Sequence, residues 1–438
     1  MRLLKLNTML ATAIAVTAMI FVACSSDDTI DERRTAGAIG FAPLLDRNTS
    51  GTRSTGTANV IGAETDDKFD GFYVWGYTMG DAVKSAKNSI YLYKQSTTAG
   101  GVPIQKADVS GGTGWGTASD NSNKYYGYLN AEDLKYWPQD KLEFVAIGPL
   151  SKVDDATNGS DISQLTNTSF TATRPTNSQY TFDYEATAGS NPDLTKHTDI
   201  VYATARQTGT VGNSTVSLAF KHALSKIKFQ GYVGANQPGL TVIIKDITLC
   251  NVNTKGTATI EVTGDATNTL TWSPNTNGNY TLTKSTSPIT LSANATVASD
   301  GATADLTDEI LVIPQTHGVW QNGAIAAANT ASSEKTYLKI DCVIYQVDGV
   351  PIVGTVVNSG EEVTSTGGTK YTCGSVYAHM VANPATESSL TWAAGTNYVY
   401  TLKFGVGKDE NGNVISAPIT FTVSSVAAWT NTTVNTNL

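Results

Sequence analysis

Short stretches in which every second residue is apolar recur along the chain, separated by segments rich in Gly, Ser, Thr and Asn. A period of two puts alternate side chains on one face of a pleated strand, so the pattern predicts half-buried β-strands. Phe72, Val74 and Gly76 alternate with Tyr73, Trp75 and Tyr77; Leu142, Phe144 and Ala146 share one parity after a bend at Trp137-Pro138; residues 200–203 (IVYA) form a further short strand. Val216, Leu218 and Phe220 alternate, and Ile227 and Phe229 follow in the opposite parity, so a bulge or bend near His222 to Ser225 re-aims the chain. Val242/Ile244, Ile247/Leu249, Ala258/Ile260/Val262, residues 310–313, Leu338/Ile340/Cys342/Ile344 and Tyr398/Tyr400/Leu402/Phe404 continue the pattern. Asn411-Gly412, between this last stretch and Ile419/Phe421/Val423, is a hairpin signal, because both residues tolerate the positive φ of a tight turn. Many short strands without an amphipathic helix of convincing length predict an all-β chain of β-sandwiches.

One early stretch has its own consequence. Ile39, Phe41, Pro43 and Leu45 fall on one face at period two, and Pro43 has no N–H for a ladder, so this strand belongs at a sheet edge. A strand paired on one side only can be removed without unpairing two neighbours. Residues 48–57 follow, small and polar except for Arg53, a composition open to proteases. Arg47 and Arg53 are the basic sites there.

The first 23 residues have the layout of a secretory signal: Arg2 and Lys5, then a nearly uncharged stretch ending at Cys24. That stretch is too short and too rich in Asn and Thr for a membrane span. Phe21-Val22-Ala23 before Cys24 looks like the lipobox that signal peptidase II cuts, with Phe21 in place of the usual Leu, which marks Cys24 for lipidation. The about 415 residues beyond the signal suit two domains of roughly 200. The expected division is 1–23 signal, 24–53 tether plus removable first strand, 54–212 N-terminal sandwich and 213–438 C-terminal sandwich.

Charged residues make up only 15% of the chain, and the net charge of -9 carries no basic cluster, so nucleic-acid binding has no electrostatic footing. Cys250, Cys342 and Cys373 lack metal-ligand spacing; either one pair such as Cys342 with Cys373 forms, or all three remain free thiols. The four histidines share no spacing, and no nucleophile elbow, phosphate loop or dinucleotide fingerprint is present, so neither metal nor cofactor is expected. Asp409, Asn411 and Asn413 alternate as in a calcium loop, but Val414 and Thr420 stand where that loop needs Gly and Glu. With 19 tyrosines and seven tryptophans, a sugar-stacking surface is the main competing function, that of a monomeric outer-membrane lipoprotein that binds glycans; Trp75, Trp272 and Trp392 sit in strand-like alternation, where cross-strand packing is expected.

The ordered set of these motifs resembles the fimbrillin family of Bacteroidetes, the Mfa-like or type V pilins. It comprises Cys24 in its lipobox, the Ile39–Leu45 strand followed by Thr52-Arg53-Ser54, Tyr136-Trp137-Pro138 with Leu142-Glu143-Phe144, residues 199–203 (DIVYA), 218–229 (LAFKHALSKIKF), 311–315 (LVIPQ) and 397–402 (NYVYTL). The resemblance implies two transthyretin-like sandwiches and no enzymatic activity. It implies a surface-exposed lipoprotein precursor at the outer membrane that becomes part of a fimbrium. An arginine-specific protease would cut after Arg53 or Arg47 and release the first strand. The groove would then be filled by the neighbouring subunit's C-terminal strand, through Ile419, Phe421, Val423, Val426 and Trp429. The implied partners are therefore other pilin subunits joined head-to-tail, the protease, and a host or glycan receptor.

Overall fold

The computed structural model describes residues 38–45, 69–79, 89–95, 100–108, 124–138, 140–150, 165–167, 174–185, 199–209, 215–235, 237, 239–282, 288–293, 300–319, 335–346, 350–380, 389–405, 407–408, 414–415 and 420–428. Among these the chain is all β apart from one 3-10 turn, Ala131–Asp133. In chain order the first strands are β1 (Gly40–Leu45), β2 (Gly71–Thr78), β3 (Ile90–Leu92), β4 (Val102–Asp108), β5 (Lys124–Tyr128), β6 (Lys141–Gly148), β7 (Leu165–Asn167), β8 (Gln179–Glu185), β9 (Val201–Thr208) and β10 (Thr215–His222). There follow β11 (Ser225–Val233), β12 (Thr241–Val262), β13 (Asn268–Leu282), β14 (Ile289–Ser292), β15 (Ala304–Asp305), β16 (Ile310–Val312), β17 (Gln315–Val319), β18 (Lys335–Tyr345) and β19 (Pro351–Val353). The last are β20 (Thr355–Val356), β21 (Val363–Thr364), β22 (Lys370–Thr372), β23 (Gly374–His379), β24 (Ser389–Trp392), β25 (Thr396–Phe404), β26 (Gly407–Lys408), β27 (Val414–Ile415) and β28 (Thr420–Ala428).

Eight strands form one sheet in the order β1-β10-β9-β6-β2-β4-β5, with β3 beside β2. Its concave face encloses Ile39, Phe41, Phe72, Val74, Phe144, Val216, Leu218 and Phe220 among others. The odd positions of β2, Tyr73, Trp75 and Tyr77, enter a second core with Tyr180, Phe182 and Tyr184 of β8. This explains why all eight residues of β2 are buried: its alternation sorts side chains between two cores rather than between core and water.

The second core lies between a five-stranded sheet, β15-β11-β25-β28 with β16 on β11, and a ten-stranded sheet built on the 22-residue β12. Strand pairing crosses the expected 212/213 boundary in both directions. β7 and β8 precede it yet join the ten-stranded sheet, Phe182 standing opposite Ala258, while β10 follows it and pairs with β9 and β1 of the first sheet. The chain passes between sheets at Ala223 and Leu224, both fully buried, and the Trp272 indole donates to the Ala223 carbonyl at 2.9 Å. The parity change read in the sequence is this crossover. The short β26–β27 pair places Lys408 opposite Val414, and Asn411-Gly412 between them lie outside the described residues.

Cys250, Cys342 and Cys373 are free thiols. Cys342 stands opposite Gly374 in the ladder and belongs to the main core, whereas Cys373 packs beside Ile243, Val343 and Tyr371 on the other face of the sheet. Side chains on opposite faces cannot be bridged without moving backbone, so of the two alternatives the structure has the free thiols.

Candidate assembly site at the first strand

β1 runs parallel to β10 from Gly40 opposite Thr215 to Leu45 opposite Phe220, and it is the end strand of its sheet. Its other side meets the far end of the same sheet. The Ile39 N–H donates to the Lys135 carbonyl at 2.9 Å, and the Tyr128 hydroxyl, at the end of β5, donates to the Ile39 carbonyl at 2.8 Å. Ala38 forms an antiparallel bridge to Tyr136. β1 thus spans the gap between the two ends of a curled sheet, held by a full ladder on one side and a two-bond clasp on the other.

Because Ile39 points its peptide groups toward the clasp, the alternating backbone turns those of Phe41 and Pro43 the same way and reserves the intervening ones for β10. Pro43 therefore lacks its N–H on the side where no ladder runs. Ile39 and Phe41 are 0% and 2% exposed, and Pro43 is buried. The Phe41 ring sits 5.8 Å from Phe144, 6.2 Å from Phe72 and 6.2 Å from Tyr128, the first two edge-on. Nothing is described of the Leu45 side chain.

The clasp has its own support. Asp133, fully buried, accepts from the Gln95 N–H at 2.7 Å and from the Asn130 amide at 3.1 Å, fixing the turn that leads to Lys135. Burial drives the Tyr128 phenol far above its ordinary pKa, so it stays a neutral donor. Sequence reading singled out none of Tyr128, Asp133 and Lys135. The same parity of Tyr126 and Tyr128 is a strand signal that could have drawn attention there, but the partner lies 89 positions away.

At the other end of the chain, β28 is the edge strand of the five-stranded sheet, antiparallel to β25. Phe421 stands opposite Leu402, Val423 opposite Tyr400 and Val426 opposite Tyr398, three buried positions of β25. A register shift at Val399/Tyr400 leaves Ser424 as an extra residue, which is why positions of odd and then even number stand opposite Leu402, Tyr400 and Tyr398 in register. Cys24, Arg47, Arg53, Ile419 and Trp429 lie outside the described residues.

Trp75 and Trp392 are 2% and 1% exposed, and Trp392 donates to the Tyr400 hydroxyl at 2.7 Å. Trp272 is half-buried against Phe182 and Tyr184. These three pack against neighbouring strands, as their alternation predicts, and the two buried ones, Trp75 and Trp392, offer no open stacking face. His222 pairs with the buried Asp199 at 2.9 Å beside the crossover. Among the described residues no three His, Cys, Asp or Glu side chains converge as metal ligands do.

No curated protein matches the chain. Among solved structures, it is similar to a fimbrial protein from Bacteroides vulgatus, at 17% identity and a TM-score of 0.47 over 90% of this chain and 99% of that one. It is also similar to the fimbrial anchor protein Mfa2 from Porphyromonas gingivalis, at 7% identity and a TM-score of 0.32 over 89% and 98% of the two chains. The family described as fimbrillin-like matches residues 81–420, more than three quarters of the sequence. The chain therefore belongs to the fimbrillin-like family and is a pilus or adhesion subunit of the cell surface, a structural protein rather than an enzyme.

Proposed function

We propose that the chain is the precursor of a pilus subunit that polymerises by exchanging its first strand. In this reading Cys24 is acylated and tethers the exported precursor to the outer membrane, and an arginine-specific protease cuts after Arg53, with Arg47 the second site. Departure of β1 opens the groove between β10 and β5. A neighbour's C-terminal strand, carrying Ile419, Phe421, Val423, Val426 and Trp429, fills it. The contact is head-to-tail and does not close on itself, so it propagates as a filament. The filament supports adhesion to a host or glycan receptor.

The observation that carries this reading is the position of β1: an end strand, laddered to β10 alone, whose Ile39 and Phe41 side chains nonetheless complete a core. Its loss costs one ladder and exposes an apolar slot that demands refilling. Five apolar side chains buried at about 1.5 to 3 kcal/mol each would supply on the order of 10 kcal/mol before ordering costs. The test is to treat surface-displayed protein with an arginine-specific protease, sequence the new N-terminus and look for an SDS-resistant ladder. Expected are a start just after Arg53 or Arg47 and a ladder that depends on the protease. Polymer whose subunits still begin at Cys24 would overturn the proposal.

A further inference from the structure

The two ends of the chain carry one apolar signature. Ile39-Gly40-Phe41-Ala42-Pro43 and Ile419-Thr420-Phe421-Thr422-Val423 both read Ile, any residue, Phe, any residue, then Pro or Val. The likeness ends at Ser424, the extra residue of the β25–β28 register shift. Building on the strand-exchange reading above, we infer that a second copy's C-terminal strand enters the groove with the polarity of β1 and in a single register. Ile419 takes the place of Ile39, Phe421 that of Phe41 and Val423 that of Pro43.

Register follows from the shape of the groove. A slip of one residue turns Ile419, Phe421 and Val423 outward. A slip of two puts Ile419 or Val423 among the rings of Phe72, Tyr128 and Phe144, where a β-branched residue leaves part of the Phe41 site empty. Only the matched register sets a phenyl ring against those three.

Polarity follows from the clasp. In β1 the Ile39 N–H reaches the Lys135 carbonyl and the Ile39 carbonyl receives the Tyr128 hydroxyl. A strand of the same polarity offers residue 419 the same two bonds. A reversed strand exchanges the order of N–H and C=O along its axis and brings a carbonyl against the Lys135 carbonyl, which has no proton to give. Tyr128 and Lys135 thereby select the direction of the incoming strand, and the Phe41 site selects its register.

Cross-linking reads both. Ser217 is exposed on β10 and stands opposite Ala42, so the inference places Thr422 of the incoming strand beside it. Full-length protein carrying Ser217→Cys with Thr420→Cys, Thr422→Cys or Ser424→Cys, each with Cys373→Ser, would be processed with the arginine-specific protease. It would then be oxidised mildly and run on non-reducing gels, after unprocessed samples are shown to melt with the parent. The expected result is a covalent ladder from the 217/422 pair at least about tenfold stronger than from either other pair, since Cα atoms more than about 7 Å apart cannot be bridged. A ladder from 217/420 or 217/424 instead overturns the register while leaving strand exchange intact. Polymer that forms without a cross-link from any pair overturns the occupant or its polarity. Absence of polymer from the parent overturns strand exchange, and this inference with it.

Discussion

Glu143 on β6 accepts a hydrogen bond from the Arg206 guanidinium on neighbouring β9 at 2.7 Å, and the same carboxylate, fully buried, also receives Arg174 at 2.8 Å and the Tyr180 hydroxyl at 2.5 Å. The donors come from both sheets, since Tyr180 lies on β8 of the ten-stranded sheet. Arg206 reaches further, donating to the Val262 carbonyl at the end of β12 at 2.9 Å. One buried carboxylate thus ties the first sheet to the second.

Removing that charge takes from the two guanidinium groups the buried carboxylate they share. Glu143→Gln is expected to cost about 3 to 5 kcal/mol, the range found when one partner of a buried ion pair is lost. Urea unfolding of the variant against the parent measures it, and a loss below about 1 kcal/mol would contradict the tie.

The same site sets an acid limit. Burial alone would raise the Glu143 pKa, but hydrogen bonds from Arg174, Tyr180 and Arg206 outweigh it and hold the group below its ordinary value. A group depressed on folding contributes stability that is whole above the unfolded pKa, about 4.3, and is lost as pH falls through the folded value. Thermal midpoints recorded from pH 6 downward should therefore drop below about pH 4 in the parent, and Glu143→Gln should lack that component of the drop.

Phe41→Ala should open a void among three rings and destabilise the precursor by about 3 to 5 kcal/mol. Denaturant midpoints at unchanged m-value are the measurement.

Tyr128→Phe keeps the ring and deletes the bond to the Ile39 carbonyl. The expected cost is about 1 to 3 kcal/mol, because a buried carbonyl loses its partner. After proteolysis the cut N-terminal fragment should leave the variant faster than the parent, followed by gel filtration with time.

The free thiols make a redox prediction. Burial raises Cys250 and Cys373 to about 11, so both are protonated at neutral pH. Native protein should react slowly with a maleimide at pH 7, quickly once unfolded, and show the same gel mobility with and without reductant.

What the sequence disclosed was whatever repeats locally. The alternation of Val216, Leu218 and Phe220 marked β10, and its reversal at Ile227 and Phe229 marked the passage into another sheet, because parity is a property of neighbours along the chain. Pairing partners are not. β8 shows a clean alternation at Tyr180, Phe182 and Tyr184, but nothing in those residues says that they lie against β12 rather than β6. The clasp at Ile39 and the tie at Glu143 join positions 89 and 63 apart, respectively, and such contacts leave no periodic trace. The one local trace of the tie, not read from the sequence above, is that Glu143 is a charge inside the apolar stretch Leu142–Ile147, where a buried charge needs a partner.

β12 gives up its first half to β18 and its second to β8, so a single 22-residue strand is common to both pairings. A pull along that strand is shared by ladders of bonds that must shear together, and neither half can drift from the other without breaking them. Tension applied along β12 therefore passes from one pairing to the other through covalent backbone, by way of Asn251 and the register shifts that lie between them.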